Sequence, residues 1–171
     1  MGAVRRLKQC RVDARLWARA SAEGAQGISQ PAYGWKQNIT MIECALLIAA
    51  YLGASPVLVG IVYAEAGLDG VAVVYEESHF DPCAERVEPE GTSWGLWQLY
   101  DRYHAQHRGD IIEHNIAGAD FLKVCKARGG RDLTTAVSWF NAWHPTRSLE
   151  WGRRVQARRD DLAHWLWLKL R

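Results

Sequence analysis

Residues 76–99 read EESHFDPCAERVEPEGTSWGLWQL, and this stretch decides the fold of the chain. It opens on two adjacent carboxylates, Glu76 and Glu77, and it continues into a segment rich in Pro, Gly, Thr and Ser, which are typical of loops. Val73 and Val74 stand four and three positions before Glu77, so on a helix they share its face. The pattern predicts a partly desolvated carboxylate at the end of an apolar helix, where a raised pKa suits a general acid. The alternative is a pair of acids that point into solvent at a helix end.

Three motifs in this order resemble the soluble lytic transglycosylase and goose-type lysozyme superfamily. The first is Glu77-Ser78 at the end of a helix. The second is the Gly-Leu-Trp-Gln segment that begins at Gly95, where the family usually has Gly-Leu-Met-Gln. The third is Trp-Phe-Asn-Ala at 139–142, where the family usually has Ala-Tyr-Asn-Ala. The resemblance covers residues 66–143 and implies a mainly α, lysozyme-like helical domain. We also expect a small β-hairpin within residues 81–94, beside the cleft.

The resemblance implies cleavage of the β-1,4 bond between N-acetylmuramic acid and N-acetylglucosamine in peptidoglycan. Glu77 would be the general acid and base of a lytic transglycosylase. In a goose-type muramidase a second acid would activate water, and Glu90 or Asp101 could supply it. A third alternative is an inactive saccharide-binding or structural module of a virion or secretion apparatus. The expected substrate-binding residues are Ser78, Gly95, Leu96, Trp97, Gln98, Phe140 and Asn141.

Four of these residues carry specific expectations. Gln98 offers both a hydrogen-bond donor and an acceptor to an acetamido group. Trp97 replaces the family's methionine, so its ring would either stack on a saccharide or repack the floor of the cleft. Phe140 replaces the family's tyrosine and lacks the hydroxyl that would lie near the acid, whereas Asn141 keeps the polar partner.

The composition is that of a single globular domain. The chain has 171 residues, a net charge of +2 and nine Trp, and this charge is not typical of nucleic-acid binding. We divide it into a basic N-terminal helix and linker at 1–38, a catalytic domain at 39–147, and a basic amphipathic helix at 148–171 packed on the same domain. Either terminal helix could contact a membrane periphery or a virion protein.

Residues 44–64 contain no charged side chain and are long enough to span a bilayer. Ser55 and Pro56 interrupt this stretch with the signature of a helix start, so we favour two buried helices over a membrane anchor. Glu65, just beyond, is a rival catalytic acid, but Ala66 follows it where the family has serine.

Neither the four cysteines nor the six histidines show metal-ligand spacing, so we expect no metal and no cofactor. The cysteines are interpreted as free thiols in the core, and two disulfides are the alternative. No secretory signal is visible. A wall-degrading enzyme of phage type would then reach the periplasm or cell exterior in a virion or through a holin.

Overall fold

The computed structural model describes residues 40–130 and 132–171, and this part of the chain is 70% helical. The prediction of a mainly α fold is therefore confirmed. The predicted helix and linker at 1–38 lie outside the described residues. The six described helices are α1 Met41–Leu52, α2 Pro56–Ser78, α3 Asp101–His104, α4 Ile111–Gly129, α5 Leu133–Ala142 and α6 Leu149–Lys169. The strands are β1 Glu85–Glu88, β2 Gly91–Trp94 and β3 Leu99–Tyr100, paired antiparallel in that order.

The apolar stretch at 44–64 forms parts of two helices, as the sequence predicts. The first ends at Gly53, whose left-handed backbone (φ 64°) stops α1, and α2 begins at Pro56 after its N-cap Ser55. By length and composition alone α2 could cross a membrane, and it is the one described helix of which this holds. Half of its most apolar window is buried within the protein, which is typical of a core helix.

Helix α2 bends at Gly67, and the half after the bend carries Glu77 near its end. Gly67 has φ 60° and ψ −156°, a conformation that glycine adopts readily. The structure shows a kink between two helical halves at this residue. Beyond the kink the residues of 71–74 are fully buried, and the helix ends at Ser78.

The loop between β2 and β3 is anchored in the core by Trp97. Its ring is fully buried, and it packs against Gly70 of α2 and Gly118 of α4, which leave room for it. The indole nitrogen of Trp97 donates to Asn115 Oδ1 (3.0 Å), and Asn115 Nδ2 donates to the Ile61 carbonyl (2.9 Å). This buried relay ties the loop to both helices, because each polar group has its partner.

Helices α4, α5 and α6 complete the core. Asp110 and Asp132 cap α4 and α5 by accepting backbone N–H groups. Helix α6 begins at Leu149, close to the predicted start at 148, and it buries Val155, Leu162 and Leu166. Arg158 and Arg159 of α6 form ion pairs with Glu76 and Asp69 of α2.

The structure shows the state of three cysteines. Cys125 is a buried free thiol on α4, and Cys44 is a partly buried free thiol on α1. Cys83 is disulfide-bonded, so the interpretation as free thiols is wrong for this residue. Two disulfides would need all four cysteines, so that alternative is excluded.

Candidate active site

A cleft of about 720 Å³ lies at the end of α2. The β-hairpin and α3 after its first residue form one wall, and α4 with the end of α5 forms the other. The predicted hairpin is present, with Arg86 opposite Ser93 and Glu88 opposite Gly91. The residues that line the cleft are Glu77, Arg86, Glu88, Glu90, Ser93, Gln98, Leu99, Tyr100, Arg102, Tyr103, His104, Phe121, Phe140, Asn141, Ala142 and Trp143.

Glu77 lies in this cleft, on the last turn of α2, and its side chain is partly buried. Burial raises the pKa of Glu77 to about 7, because the charged form loses water. Arg86 opposes this rise in pKa by its positive charge, and Asn141 opposes it by hydrogen bonding to the carboxylate. Glu76 and Glu88 add to the rise as like charges. Glu77 is therefore close to half protonated near neutral pH.

The two other candidate acids of this region lie elsewhere. Glu76 points to α6, where it pairs with Arg158 Nε at 3.3 Å and with Arg154 Nε at 3.9 Å. Glu65 is exposed and does not line the cleft. Of these three carboxylates only Glu77 faces the cleft, which agrees with the preference drawn from the sequence.

Ser78 has a structural contact instead of a place in the cleft. It is buried, and its hydroxyl donates to the Leu96 carbonyl (2.8 Å) and lies 3.2 Å from the Val74 carbonyl. The bond to Leu96 holds the end of α2 against the loop after β2. The adjoining Glu77 is thereby fixed relative to that loop, so Ser78 positions the acid and does not line the cleft.

The segment 95–97 lies beneath the cleft and not along it. Gly95 has φ 73°, and a Cβ there would stand 2.6 Å from His114 Nε2. Leu96 and Trp97 are fully buried, so neither side chain is available to a saccharide. Of the two roles considered for Trp97, repacking of the floor matches its position, and the expected lining by 95–97 needs correction. Loop residues at a tight turn can be core residues when a helix supplies the facing surface.

Gln98 does line the cleft, in a left-handed conformation (φ 47°). Its Nε2 donates to the carbonyls of Ala84 (3.1 Å) and Gly95 (3.0 Å). Both amide hydrogens are thus engaged within the protein. The donor expected from Gln98 is used internally, and Oε1 is the group left to accept a hydrogen bond from a ligand.

The two candidate second carboxylates are in different places. Asp101 does not line the cleft, and its Oδ1 accepts the Thr92 backbone N–H at 3.2 Å, which ties α3 to β2. Glu90 is exposed at the hairpin turn and does line the cleft. Only Glu90 of this pair shares the cleft with Glu77.

Sequence reasoning missed Arg86 and Glu88. They alternate along β1 on the side that faces the cleft, and Arg86 Nη2 lies 2.6 Å from Glu88 Oε1. Val87 between them is 79% exposed, as the period of two in a strand requires. The alternation Glu-Arg-Val-Glu is the signal that could have located these residues, but four positions are too few to establish a strand.

Phe140 and Asn141 both line the cleft, at the end of α5. The Ser148 hydroxyl donates to Asn141 Oδ1 at 2.7 Å, which leaves the amide hydrogens of Asn141 for Glu77. Phe140 is largely buried, with its ring 5.0 Å from that of Phe121 and 6.0 Å from that of Trp97. The ring of Phe140 supports the cleft wall, and Asn141 holds the acid.

His114 lies under the same loop. Burial lowers its pKa to about 4, so the ring is neutral, and its Nε2 accepts the Trp97 backbone N–H at 3.3 Å. Its ring also contacts that of Trp94 in a tilted arrangement, with centroids 4.3 Å apart. Among the described residues no group of three or more His, Cys, Asp or Glu side chains is arranged to hold a metal ion. Glu77, with a pKa raised to about 7, is a group in the cleft that can exchange a proton near neutral pH.

Comparison of the chain with protein-family models, with curated proteins and with solved structures finds no match.

Proposed function

We propose that the protein has a lysozyme-like fold and cleaves the β-1,4 bond between N-acetylmuramic acid and N-acetylglucosamine in peptidoglycan, as a lytic transglycosylase. The observation that carries the proposal is Glu77, a partly buried acid with a pKa of about 7 in an open cleft. Such a pKa lets one group give a proton and take it back near neutral pH. The resemblance of 66–143 to the lytic transglycosylases supplies the substrate.

In the proposed first step Glu77 gives its proton to the glycosidic oxygen while the bond from that oxygen to the anomeric carbon breaks. The anomeric carbon gains oxocarbenium character in this transition state. In the second step a hydroxyl of the same sugar attacks the anomeric carbon, and its proton returns to Glu77. The products are an anhydro sugar end and a strand with a free hydroxyl, so one carboxylate suffices.

Asn141 takes part by holding the Glu77 carboxylate from the side of α5. This contact favours the ionised form, which exists between the two steps. Gln98 is placed to accept a hydrogen bond through Oε1, for which the N–H of an acetamido group is a suitable donor.

The muramidase alternative is favoured by one observation, the position of Glu90. Glu90 lines the same cleft as Glu77 and could activate a water on the far side of the sugar. The products separate the two reactions, because hydrolysis leaves reducing ends and transglycosylation leaves anhydro ends.

The test is turnover of purified peptidoglycan by the whole chain, with mass analysis of the products. We expect Glu77→Gln to lower kcat by about 10³-fold, within the usual range for loss of general acid catalysis. The matched control is Glu76→Gln, one residue away and directed at α6, for which we expect kcat within about threefold of the parent, because Glu76 acts on Glu77 only as a weak like charge.

Equal turnover by the parent and by Glu77→Gln would contradict the proposal that Glu77 is the acid. Binding of glycan strands without any cleavage by the parent would instead support the inactive saccharide-binding module. Release of reducing ends would assign the reaction to a muramidase, with Glu90 as the candidate second carboxylate.

A further inference from the structure

Trp143 is a large aromatic side chain at the mouth of the cleft, and nothing in the proposed proton transfer uses it. It lines the cleft and is 50% exposed. It also follows the last residue of α5 directly, two positions after Asn141, which contacts Glu77. An aromatic ring that opens into a cleft beside polar groups is a candidate ligand contact, because ligand pockets combine apolar rings with a few placed polar groups.

The backbone of Trp143 is unusual for such a residue. It lies in the left-handed region (φ 48°, ψ 34°) and ends α5 with its N–H bonded to the Trp139 carbonyl. Glycine or asparagine usually occupies this position of a helix, since other side chains are strained there. Strain of this kind persists where the surroundings fix it, and it concentrates at ligand sites.

Three neighbours fix the ring of Trp143. Phe121 stacks nearly parallel to it with centroids 5.6 Å apart, and Trp139 meets it edge-on at 5.8 Å. The Arg128 guanidinium carbon lies 4.1 Å from the centroid of Trp143. The ring is therefore held in place before any ligand arrives, and half of its surface stays open. Binding to a preorganised ring costs little conformational entropy.

The chemistry of the wall selects the ligand. Phe121, Phe140 and Trp143 present apolar rings, and Oε1 of Gln98 lies in the same cleft as a hydrogen-bond acceptor. A pyranose ring has an apolar face of C–H groups and a polar edge of hydroxyls, so it matches a flat aromatic ring beside polar groups.

We propose that Trp143 is a stacking platform for one pyranose ring of a β-1,4-linked N-acetylhexosamine strand, next to the bond that Glu77 protonates. This inference rests on the proposed function, since it places a sugar subsite in the same cleft. The platform binds the strand by contact with the sugar face and takes no part in the proton transfer.

The experiment measures binding of a chito-oligosaccharide by titration calorimetry in the Glu77→Gln background, where turnover is absent. Trp143→Gly is the test substitution, because it removes the ring and also relieves the strained backbone, so loss of folding does not explain a weaker affinity. We expect an affinity about tenfold lower for this variant and about threefold lower for Trp143→Phe, in line with the energies of aromatic contacts.

The matched control is Trp167→Ala on α6. Trp167 is 38% exposed and also carries an arginine over its ring, Arg171, but it does not line the cleft. We expect its affinity to equal that of the Glu77→Gln parent. Unchanged affinity in Trp143→Gly would overturn the platform and leave the proposed function standing. Failure of the Glu77→Gln parent to bind either the chito-oligosaccharide or soluble glycan strands would overturn both.

Discussion

The two walls of the cleft differ in chemistry. The wall built by the sheet and α3 carries the charged residues Arg86, Glu88, Glu90 and Arg102, beside the rings of Tyr100 and Tyr103. The wall built by α4 and the end of α5 carries the aromatic rings of Phe121, Phe140 and Trp143, and Trp139 and Arg128 pack against Trp143. Glu77 is influenced from both walls, by the charges of Arg86 and Glu88 and by a hydrogen bond with Asn141.

The two walls are expected to have different roles, because charges and aromatic rings act over different distances. Charges act on the protonation of Glu77 across several ångströms, because Coulomb interactions fall slowly in a partly desolvated site. Aromatic rings act by contact, and they affect the ionisation of Glu77 only through the water that they exclude from it. Burial is the largest cause of the raised pKa of Glu77, so the charged wall should adjust the pH range that burial sets, and the aromatic wall should set the affinity for the glycan.

The largest expected effect concerns stability. The pKa of Glu77 rises from 4.5 to about 7 on folding, so the folded state binds the proton more tightly than the unfolded state. The folded protein must therefore lose stability, relative to Glu77→Gln, as pH rises from about 4.5 to about 7. A shift of this size corresponds to at most about 3 kcal/mol.

Urea unfolding of both proteins at pH 4 and at pH 8 measures this prediction. We expect the free energy of unfolding of Glu77→Gln minus that of the parent to be larger at pH 8, by up to about 3 kcal/mol. Glu76→Gln serves as the control, since Glu76 lies in ion pairs with α6 and outside the cleft. A difference that does not change with pH would mean that the cleft does not desolvate Glu77.

Much of this arrangement can be predicted from the sequence where the signal is local. Helices α4 and α6, the cap at Asp132 and the break at Pro56 follow from apolar periodicity and from residues with fixed backbone preferences. The position of Glu77 follows in the same way, because the valines before it mark the buried face of its helix.

The remainder depends on contacts between distant parts of the chain. Segment 95–97 looks like an exposed loop, yet the small residues Gly70 and Gly118 on two helices make room for Trp97. The sequence likewise does not indicate that Trp143 lines the cleft, because its position depends on contacts with Phe121 and Arg128 of α4. Such pairings are set by packing and not by sequence spacing.

Arg86→Gln tests whether the charged wall affects the pKa of Glu77. The positive charge of Arg86 lowers the pKa of Glu77, so Arg86→Gln should raise that pKa. We expect the alkaline limb of kcat/KM to move to higher pH by about half a unit, which is about 0.7 kcal/mol. Activity at pH 8 should rise accordingly, by about threefold. A limb that stays in place would mean that Arg86 is screened from the acid by solvent.

Glu88→Gln should change the pKa of Glu77 in the opposite direction and by a smaller amount. The negative charge of Glu88 raises the pKa of Glu77, and Glu88 also holds the Arg86 guanidinium at 2.6 Å. Glu88→Gln removes this negative charge, so the alkaline limb of kcat/KM should move to lower pH. The shift should be less than the half unit expected for Arg86→Gln, because Glu88 affects the pKa of Glu77 less than Arg86 does. Shifts of the same sign in the two variants would rule out a direct electrostatic effect of this wall.

The smallest expected effect is on the aromatic side, where Trp143→Gly should leave the alkaline limb of kcat/KM unchanged. The charges that act on Glu77 come from Arg86, Glu76 and Glu88, and removal of a neutral ring alters none of them. The measurement is the pH profile of kcat/KM on peptidoglycan, with Arg86→Gln run beside it as the variant that does move. We expect kcat/KM to fall by a similar factor at every pH, since the ring contacts the sugar and not the proton. A limb displaced as far as that of Arg86→Gln would show that the ring also keeps water away from Glu77, and the two walls would then act on the acid together.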